Sequence, residues 1–248
     1  MSSPGAPGAS GGSASIEIAP TLRVATFNVR HGRVGAHWPS VPWKLRAGVA
    51  MLDADVVGLQ EIDVRVFRSW FVDQLRLARR AANASAAVFG FARWFGPGGR
   101  YGNGLVVRGA IANHEVIDLP VSGGRERRVA ISADVAVGGH ELPVVVTHLQ
   151  NFHAGALTQL RFLMARLSSV PGPVVLLGDL NMHPDDVRAI AEPAGFTVAG
   201  GANSSGVDNP YQRIDHVVAR GLTFHVIDVP RPPVSDHRPV IATMRVER

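Results

Sequence analysis

Apolar and polar positions alternate along this chain in short blocks, not in one long period. Residues 22–29 (LRVATFNV) read as a strand that ends in polar residues, and residues 54–61 (ADVVGLQE) as a buried strand closing on a carboxylate. Strands are also predicted over residues 104–108, 129–137, 142–149, 173–181, 213–219 and 239–246, with Gly138-Gly139 as a hairpin turn. Helical spacing marks residues 41–52 and 154–168, and an amphipathic stretch over 70–82 that sets Arg76, Arg79 and Arg80 on its polar side. Pro184 suits the first turn of a short fourth helix. The expectation is about ten strands and four helices in mixed order, which argues against a purely doubly wound parallel sheet and for two packed sheets with helices outside them.

Composition narrows this picture. The first twenty residues are almost all Gly, Ser, Ala and Pro; such a segment buries too little apolar surface to offset its chain entropy, so a disordered tail is expected over 1–20 and a single domain over 21–248. The tail has neither a basic start nor an apolar stretch, so it does not read as a secretory signal. No apolar run approaches the roughly 18 residues that span a membrane. The absence of Cys rules out disulfides and thiolate metal sites and fits a cytoplasmic protein, expected to be monomeric. The net charge of +5 is nearly all arginine, with Lys44 the single lysine. A basic excess favours an anionic partner such as nucleic acid, a phosphate ester or anionic lipid, although the same arginine bias follows from GC-rich coding.

Candidate chemistry gathers where the apolar strands end: Asn28, Glu61, His148, Asp179 with Asn181, Asp215, and Asp236 with His237. On extended backbone Asp179 and Asn181 face one space while Leu180 turns to the core. A carboxylate beside a carboxamide suits water activation and phosphate or metal contact, and equally an Asx turn ending a strand. Asp236 and His237 diverge as neighbours, and Asp215 at the start of another strand is the candidate carboxylate that orients His237. Glu61 at the end of a buried strand has to be paired, solvated or bound to a cation, and Mg²⁺ ligation by one or two carboxylates is the usual arrangement in phosphate chemistry. His148 is placed to donate a hydrogen bond to a phosphate oxygen or to serve the core.

The order of these residues is specific. FNVRHG with Asn28, LQEID with Glu61, YGNGLV with Tyr101 and Asn103, VTHL with His148, LLGDLN with Asp179 and Asn181, RIDHV with Asp215 and SDHRPV with Asp236 and His237 follow one another along the chain. This set resembles the endonuclease/exonuclease/phosphatase superfamily, the deoxyribonuclease-I-like metal-dependent hydrolases, over essentially residues 22–246.

The resemblance implies an α+β fold, a four-layer α/β/β/α sandwich with the site at one end of two sheets. It implies a Mg²⁺ or Mn²⁺ ion held by Asn28 and Glu61, with Asp236 as a further ligand. It gives catalytic roles to Asp179, Asn181, His148, Tyr101 and the Asp215–His237 pair, and substrate contacts to Arg128, Arg125 and Asn103. The implied reaction is hydrolysis of a phosphodiester, DNA or RNA among the candidates, by in-line attack of an activated water. A phospholipid or sugar/inositol-phosphate phosphoesterase is the alternative. A catalytically dead binding module is disfavoured because every expected site residue is present. The chain departs from abasic-site endonucleases, which begin their first motif NWNG, and from inositol-polyphosphate phosphatases, whose CDR-I segment is RIDHV here. For nucleic acid stand the positive charge, Arg76, Arg79 and Arg80, and Arg93 and Arg100 around aromatic Trp94, Phe95 and Tyr101, a surface suited to stacking bases and binding phosphates. Against it, the chain shows no evident added DNA-binding insertion, and Trp38, Trp43 and Trp94 suit either the core or a lipid contact.

Overall fold

The computed structural model describes residues 21–34, 39–121, 123, 126–200 and 213–246. The expected tail over 1–20, Trp38 and the candidate Arg125 lie outside the described residues.

The described residues form twelve strands and four α-helices: β1 (Thr21–Asn28), α1 (Pro42–Ala50), β2 (Val56–Val64), α2 (Gln74–Ala81), β3 (Ala86–Trp94), β4 (Arg100–Val107), β5 (Ala110–Asp118), β6 (Val129–Val137), β7 (His140–His148), α3 (His153–Ser168), β8 (Val174–Asp179), α4 (Pro184–Ala191), β9 (Thr197–Val198), β10 (Asp215–Arg220), β11 (Leu222–Asp228) and β12 (Val240–Val246). They make two six-stranded sheets, β11-β12-β1-β2-β4-β3 and β5-β6-β7-β8-β10-β9. Each is antiparallel except at one central pair, β1 with β2 and β7 with β8.

Three apolar layers hold the stack together. Val24, Val56 and Leu105 of the first sheet meet Ile131, Val146 and Leu177 of the second between the sheets. Phe27, Leu59 and Val106 bury the inner sides of α1 and α2 through Leu45, Val49 and Ala78. Val145, Leu176 and Val218 cover α3 and α4 through Leu160, Leu163 and Val187. Fully burying each such side chain contributes roughly 1.5–3 kcal/mol. The result is the four-layer α/β/β/α sandwich that the motif order implies. Gly58 faces the second sheet where a Cβ would lie 3.0 Å from both Leu177 and Val146. Among the described residues no helix is long and apolar enough to cross a membrane.

Local signals explain most boundaries. Gly138 and Gly139 both take positive φ and close the β6–β7 hairpin, with Val137 opposite His140. Pro184 occupies the first turn of α4. The helix expected over 70–82 is shorter: Trp70 and Phe71 take φ of 57° and 56°, outside helical space, and α2 starts only after Asp73, whose side chain accepts from the Arg76 amide. Strands β3, β5, β9 and β11 were not individually expected. β5 and β11 are edge strands with mostly solvent-facing residues, so they lack the apolar run of a buried strand.

Candidate active site

Strand polarity brings the candidate residues to one end. In the parallel pairs Asn28 lies opposite Gln60, and His148 opposite Asp179. In the antiparallel pairs Asp215 lies opposite Asp179, and Tyr101 opposite Asp63. Ends of β1, β4, β7, β8 and β10, from two sheets, therefore converge.

Glu61 does not end its strand, as the sequence suggested. β2 continues to Val64 through an irregularity in its pairing with β4 between Leu59 and Ile62, and Glu61 itself has φ 58°. A bulge re-aims one side chain without ending the ladder. It lets Gln60 stay buried against the Thr26 hydroxyl, 3.1 Å away, while the next side chain, Glu61, reaches Asn28 and His31. Arg30, His31, Asn181 and Ser235 also take positive φ. Such conformations cost on the order of 1–3 kcal/mol each and gather where surrounding structure imposes them for function.

The centre is Asp179. Its Oδ2 accepts from Asn28 Nδ2 at 2.9 Å, which ties one sheet to the other, and lies 3.5 Å from His148 Nε2 and 3.8 Å from His237 Nδ1. Burial, then the neighbouring Asp215 carboxylate, pushes the Asp179 carboxyl up to about 7. Asp215, fully buried, holds His237 Nδ1 at 2.9 Å. Burial opposes the charge on His237, but Asp215, Asp179 and Asp236 outweigh it and raise the imidazole to about 10. Burial, then the Arg128 charge, holds His148 well below the usual histidine range, so its ring is neutral. Burial also works against the ionised Glu61, yet the His31 and Asn28 contacts overcome it and keep the carboxyl below the ordinary range.

The other candidates divide. Asn28 points its amide nitrogen at Glu61 (3.2 Å) and Asp179, while its oxygen accepts from the Arg30 amide. Asn181 donates to the Leu149 carbonyl at 3.0 Å, and its own backbone N–H bonds Asp179 Oδ1 in an Asx turn. It is therefore not on the extended backbone expected after Asp179. Asp236 pairs with Arg30 at 2.7 Å. Asn103 is buried and donates to the Val129 carbonyl at 2.9 Å, bridging the sheets. Tyr101 is buried, and burial followed by the Glu61 charge pushes its phenol up, so it stays protonated. Arg128 is buried with its guanidinium 3.2 Å from Glu126, and its Nε lacks a hydrogen-bond acceptor among the described residues.

Three contributors were not singled out from sequence. His31 sits 3.2 Å from Glu61, Arg30 neutralises Asp236, and Ser235 accepts from the His237 amide while donating to the Asn28 carbonyl at 2.7 Å. The signal for the first two was their place directly behind Asn28 in FNVRHG; for Ser235, it was the serine of SDH.

Asp179, Asp215 and His237 also form a group whose ligand atoms lie within 4.8 Å of one another. A carboxyl near neutrality, a cationic imidazole with its orienting carboxylate, a neutral imidazole and a buried guanidinium can together move a proton and stabilise an anion.

Comparison with known proteins bears on the fold and the family. A UPF0294 protein of Vibrio vulnificus (strain CMCP6) is 26% identical over 244 residues, covering 93% of this chain and 79% of that protein. The structure of an endonuclease/exonuclease/phosphatase from Beutenbergia cavernae superposes with a TM-score of 0.77 at 24% identity, over 92% of this chain and 72% of that one. That of ANGEL2, a 2′,3′-cyclic phosphatase, superposes with a TM-score of 0.72 at 14% identity, over 93% and 96%. The family profile described as Endonuclease/Exonuclease/phosphatase family matches residues 25–237, a span that takes in every strand-end residue from Asn28 to His237, and the chain belongs to that family.

Proposed function

We propose that this protein is a divalent-metal-dependent phosphodiesterase that hydrolyses its substrate by in-line attack of water. The observation that carries the reading is the Asp179 carboxylate, held by Asn28 across the two sheets and poised near neutrality beside a cationic His237. A base with a pKa near the working pH takes up a water proton most effectively. The water oxygen forms the new bond to phosphorus, one ester P–O bond breaks, and the departing alkoxide takes a proton. His237, oriented by Asp215, supplies a proton or a hydrogen bond on the phosphate side. Neutral His148 donates one further hydrogen bond to the developing charge, and Arg128 lines the same wall as a fixed cation. Asn181 fixes the Asp179 carboxylate through its backbone and braces the turn, and Tyr101 stands beside Glu61 as a neutral donor. The ANGEL2 likeness supports a phosphodiester substrate; a simple phosphate monoester is the second reading.

The donor set fits Mg²⁺ or Mn²⁺. Glu61 offers a carboxylate that stays ionised and is 21% exposed, and hard oxygen donors select such ions; the Asn28 carboxamide turns its nitrogen to Glu61, so its oxygen would join only by leaving the Arg30 amide. The Asp179–Asp215–His237 group fits less well, because His237 is cationic and already bonded to Asp215, and a ligand has to be deprotonated. Asp236 is available only by giving up Arg30. When bound at Glu61, the cation supplies charge neutralisation to phosphoryl oxygens.

Purified protein should hydrolyse bis-p-nitrophenyl phosphate with Mg²⁺ or Mn²⁺, lose activity in EDTA and regain it on metal addition. Glu61→Gln keeps the shape and removes the charge, so it should raise the metal concentration for half-activity by roughly tenfold or more. Full turnover in metal-free buffer would contradict the assignment. kcat should climb with pH as Asp179 loses its proton near 7 and decline as His237 loses its own near 10. A profile flat across that range would remove both residues from the chemistry.

A further inference from the structure

Among the described residues the five exposed large aromatic side chains are Trp43 (72%), Phe67 (67%), Trp70 (60%), Phe71 (61%) and Trp94 (65%). All five sit at the end of the sandwich that carries the site. Phe67, Trp70 and Phe71 belong to the loop that follows Glu61 and β2; Trp94 ends β3 opposite Arg100, next to Tyr101; and Trp43 opens α1 beyond the turn at His31. Scattered exposed apolar residues need no explanation, but five exposed aromatics on the segments that flank the site strands do.

The loop is built to present them. Ser69 and Val66 are buried beneath it, Arg65 N–H bonds the Val72 carbonyl across its base at 3.2 Å, and Arg68 grips the fully buried Asp63 through two bonds of 2.9 Å. Trp70 Nε1 donates to the Ser40 carbonyl at 3.1 Å, which joins this loop to the segment before Trp43. Trp70 and Phe71 adopt consecutive left-handed conformations, which bulky residues take only when the surroundings impose them.

Charge separates the possible partners. Several basic groups near the site are paired: Arg68 with Asp63, Arg30 with Asp236, and Arg93 and Arg128 together with the single carboxylate of Glu126. A path that tracks the backbone of a long polyanion needs a run of cations along its floor, and here most of the arginines are paired, leaving one net charge at the Arg93–Arg128–Glu126 group. Unneutralised charge lies beside the aromatics instead. A groove of about 640 Å³ between α1 and α2 is lined by Arg46, Arg76 and Arg80 with Asp73 as its one carboxylate, and Arg46 is one helical turn from Trp43. Aromatic side chains flanked by arginine match the boundary between lipid tails and anionic headgroups.

We infer that this end of the molecule docks on a bilayer carrying anionic phospholipid, so that the phosphodiester it cleaves is one presented at a lipid surface. This rests on the phosphodiesterase reading for the chemistry, but the docking is measurable without it. Full-length protein should co-sediment with phosphatidylcholine vesicles containing phosphatidylglycerol and far less with phosphatidylcholine alone, and its tryptophan emission should shift to shorter wavelength on binding. Phe67→Ser, Phe71→Ser and Trp43→Ser combined should reduce vesicle partitioning by roughly tenfold or more, and reduce release of phosphorylated product from the vesicles in step. Turnover of soluble bis-p-nitrophenyl phosphate should be unchanged, which also shows that the variant is folded. Absence of both sedimentation and emission shift in the wild type would overturn the inference, as would vesicle binding that the three substitutions leave intact. Loss in the variant of single-stranded oligonucleotide binding, or of a dimer, without any vesicle binding would overturn it in favour of nucleic acid or a second copy. Vesicle binding with no turnover of any phosphodiester would instead refute the phosphodiesterase reading and leave the docking standing.

Discussion

Asp179→Asn should lower kcat by at least about 10²-fold on bis-p-nitrophenyl phosphate, the scale on which a positioned general base contributes. The substitution keeps the volume and a hydrogen-bonding oxygen but removes the only carboxylate that the structure holds near neutrality at the centre of the site. Stability should respond differently from activity. The folded-state carboxyl titrates at about 7, above its ordinary 3.8, so the folded protein resists its ionisation and the penalty is complete once the pH exceeds about 7. A neutral amide avoids that penalty, so Tm at or above this pH should stay level or rise. Kinetics beside thermal melts check both halves; a folded Asp179→Asn protein with near wild-type kcat would refute the mechanism while leaving the family intact.

His237→Ala should also cost at least about 10²-fold in kcat, but with the opposite effect on stability. Asp215 is fully buried and would lose the imidazole bonded to it at 2.9 Å. The folded-state pKa of His237 is raised from 6.5 to about 10, so its stabilising contribution is fully present at and below pH 6.5 and is lost as the pH rises through about 10. The Tm gap between wild type and variant should therefore be wide near pH 6.5 and close towards pH 10. A gap independent of pH would show that His237 is not held as a cation. Combined with Asp179→Asn, the loss in kcat should fall well short of the product of the single losses, because in the proposed mechanism both residues act on one water and one phosphate.

The two substitutions separate what crowding of charge does at this site. Asp179 and Asp215 are neighbouring carboxyls in a buried place, and His237 is the cation that contacts both. Removing one carboxylate relieves the conflict, whereas removing the cation exposes it. On the proposed mechanism activity is traded against stability at Asp179, and the Asp215–His237 pair limits the loss.

Much of this protein was legible in its residues. The apolar runs located the central strands because these are buried on both faces and must read as nearly continuous Val and Leu, as in β7 and β8. The polar residues closing those runs had to lie near the strand ends, and their order from Asn28 to His237 identified the family before any geometry was known. The Gly138-Gly139 turn and Pro184 marked boundaries through local backbone chemistry alone. Tertiary structure decided the rest, because the deciding forces act between residues far apart in sequence. The edge strands β5 and β11 exist through pairing with β6 and β12, not through an apolar pattern of their own. The bulge at Glu61 depends on β4, and the titration of Asp179 on Asp215, thirty-six residues away in the chain. Sequence could show that Trp43 and Trp94 are apolar, but only the packing of the layers placed both in solvent, since an aromatic ring suits a core and a docking surface by the same chemistry.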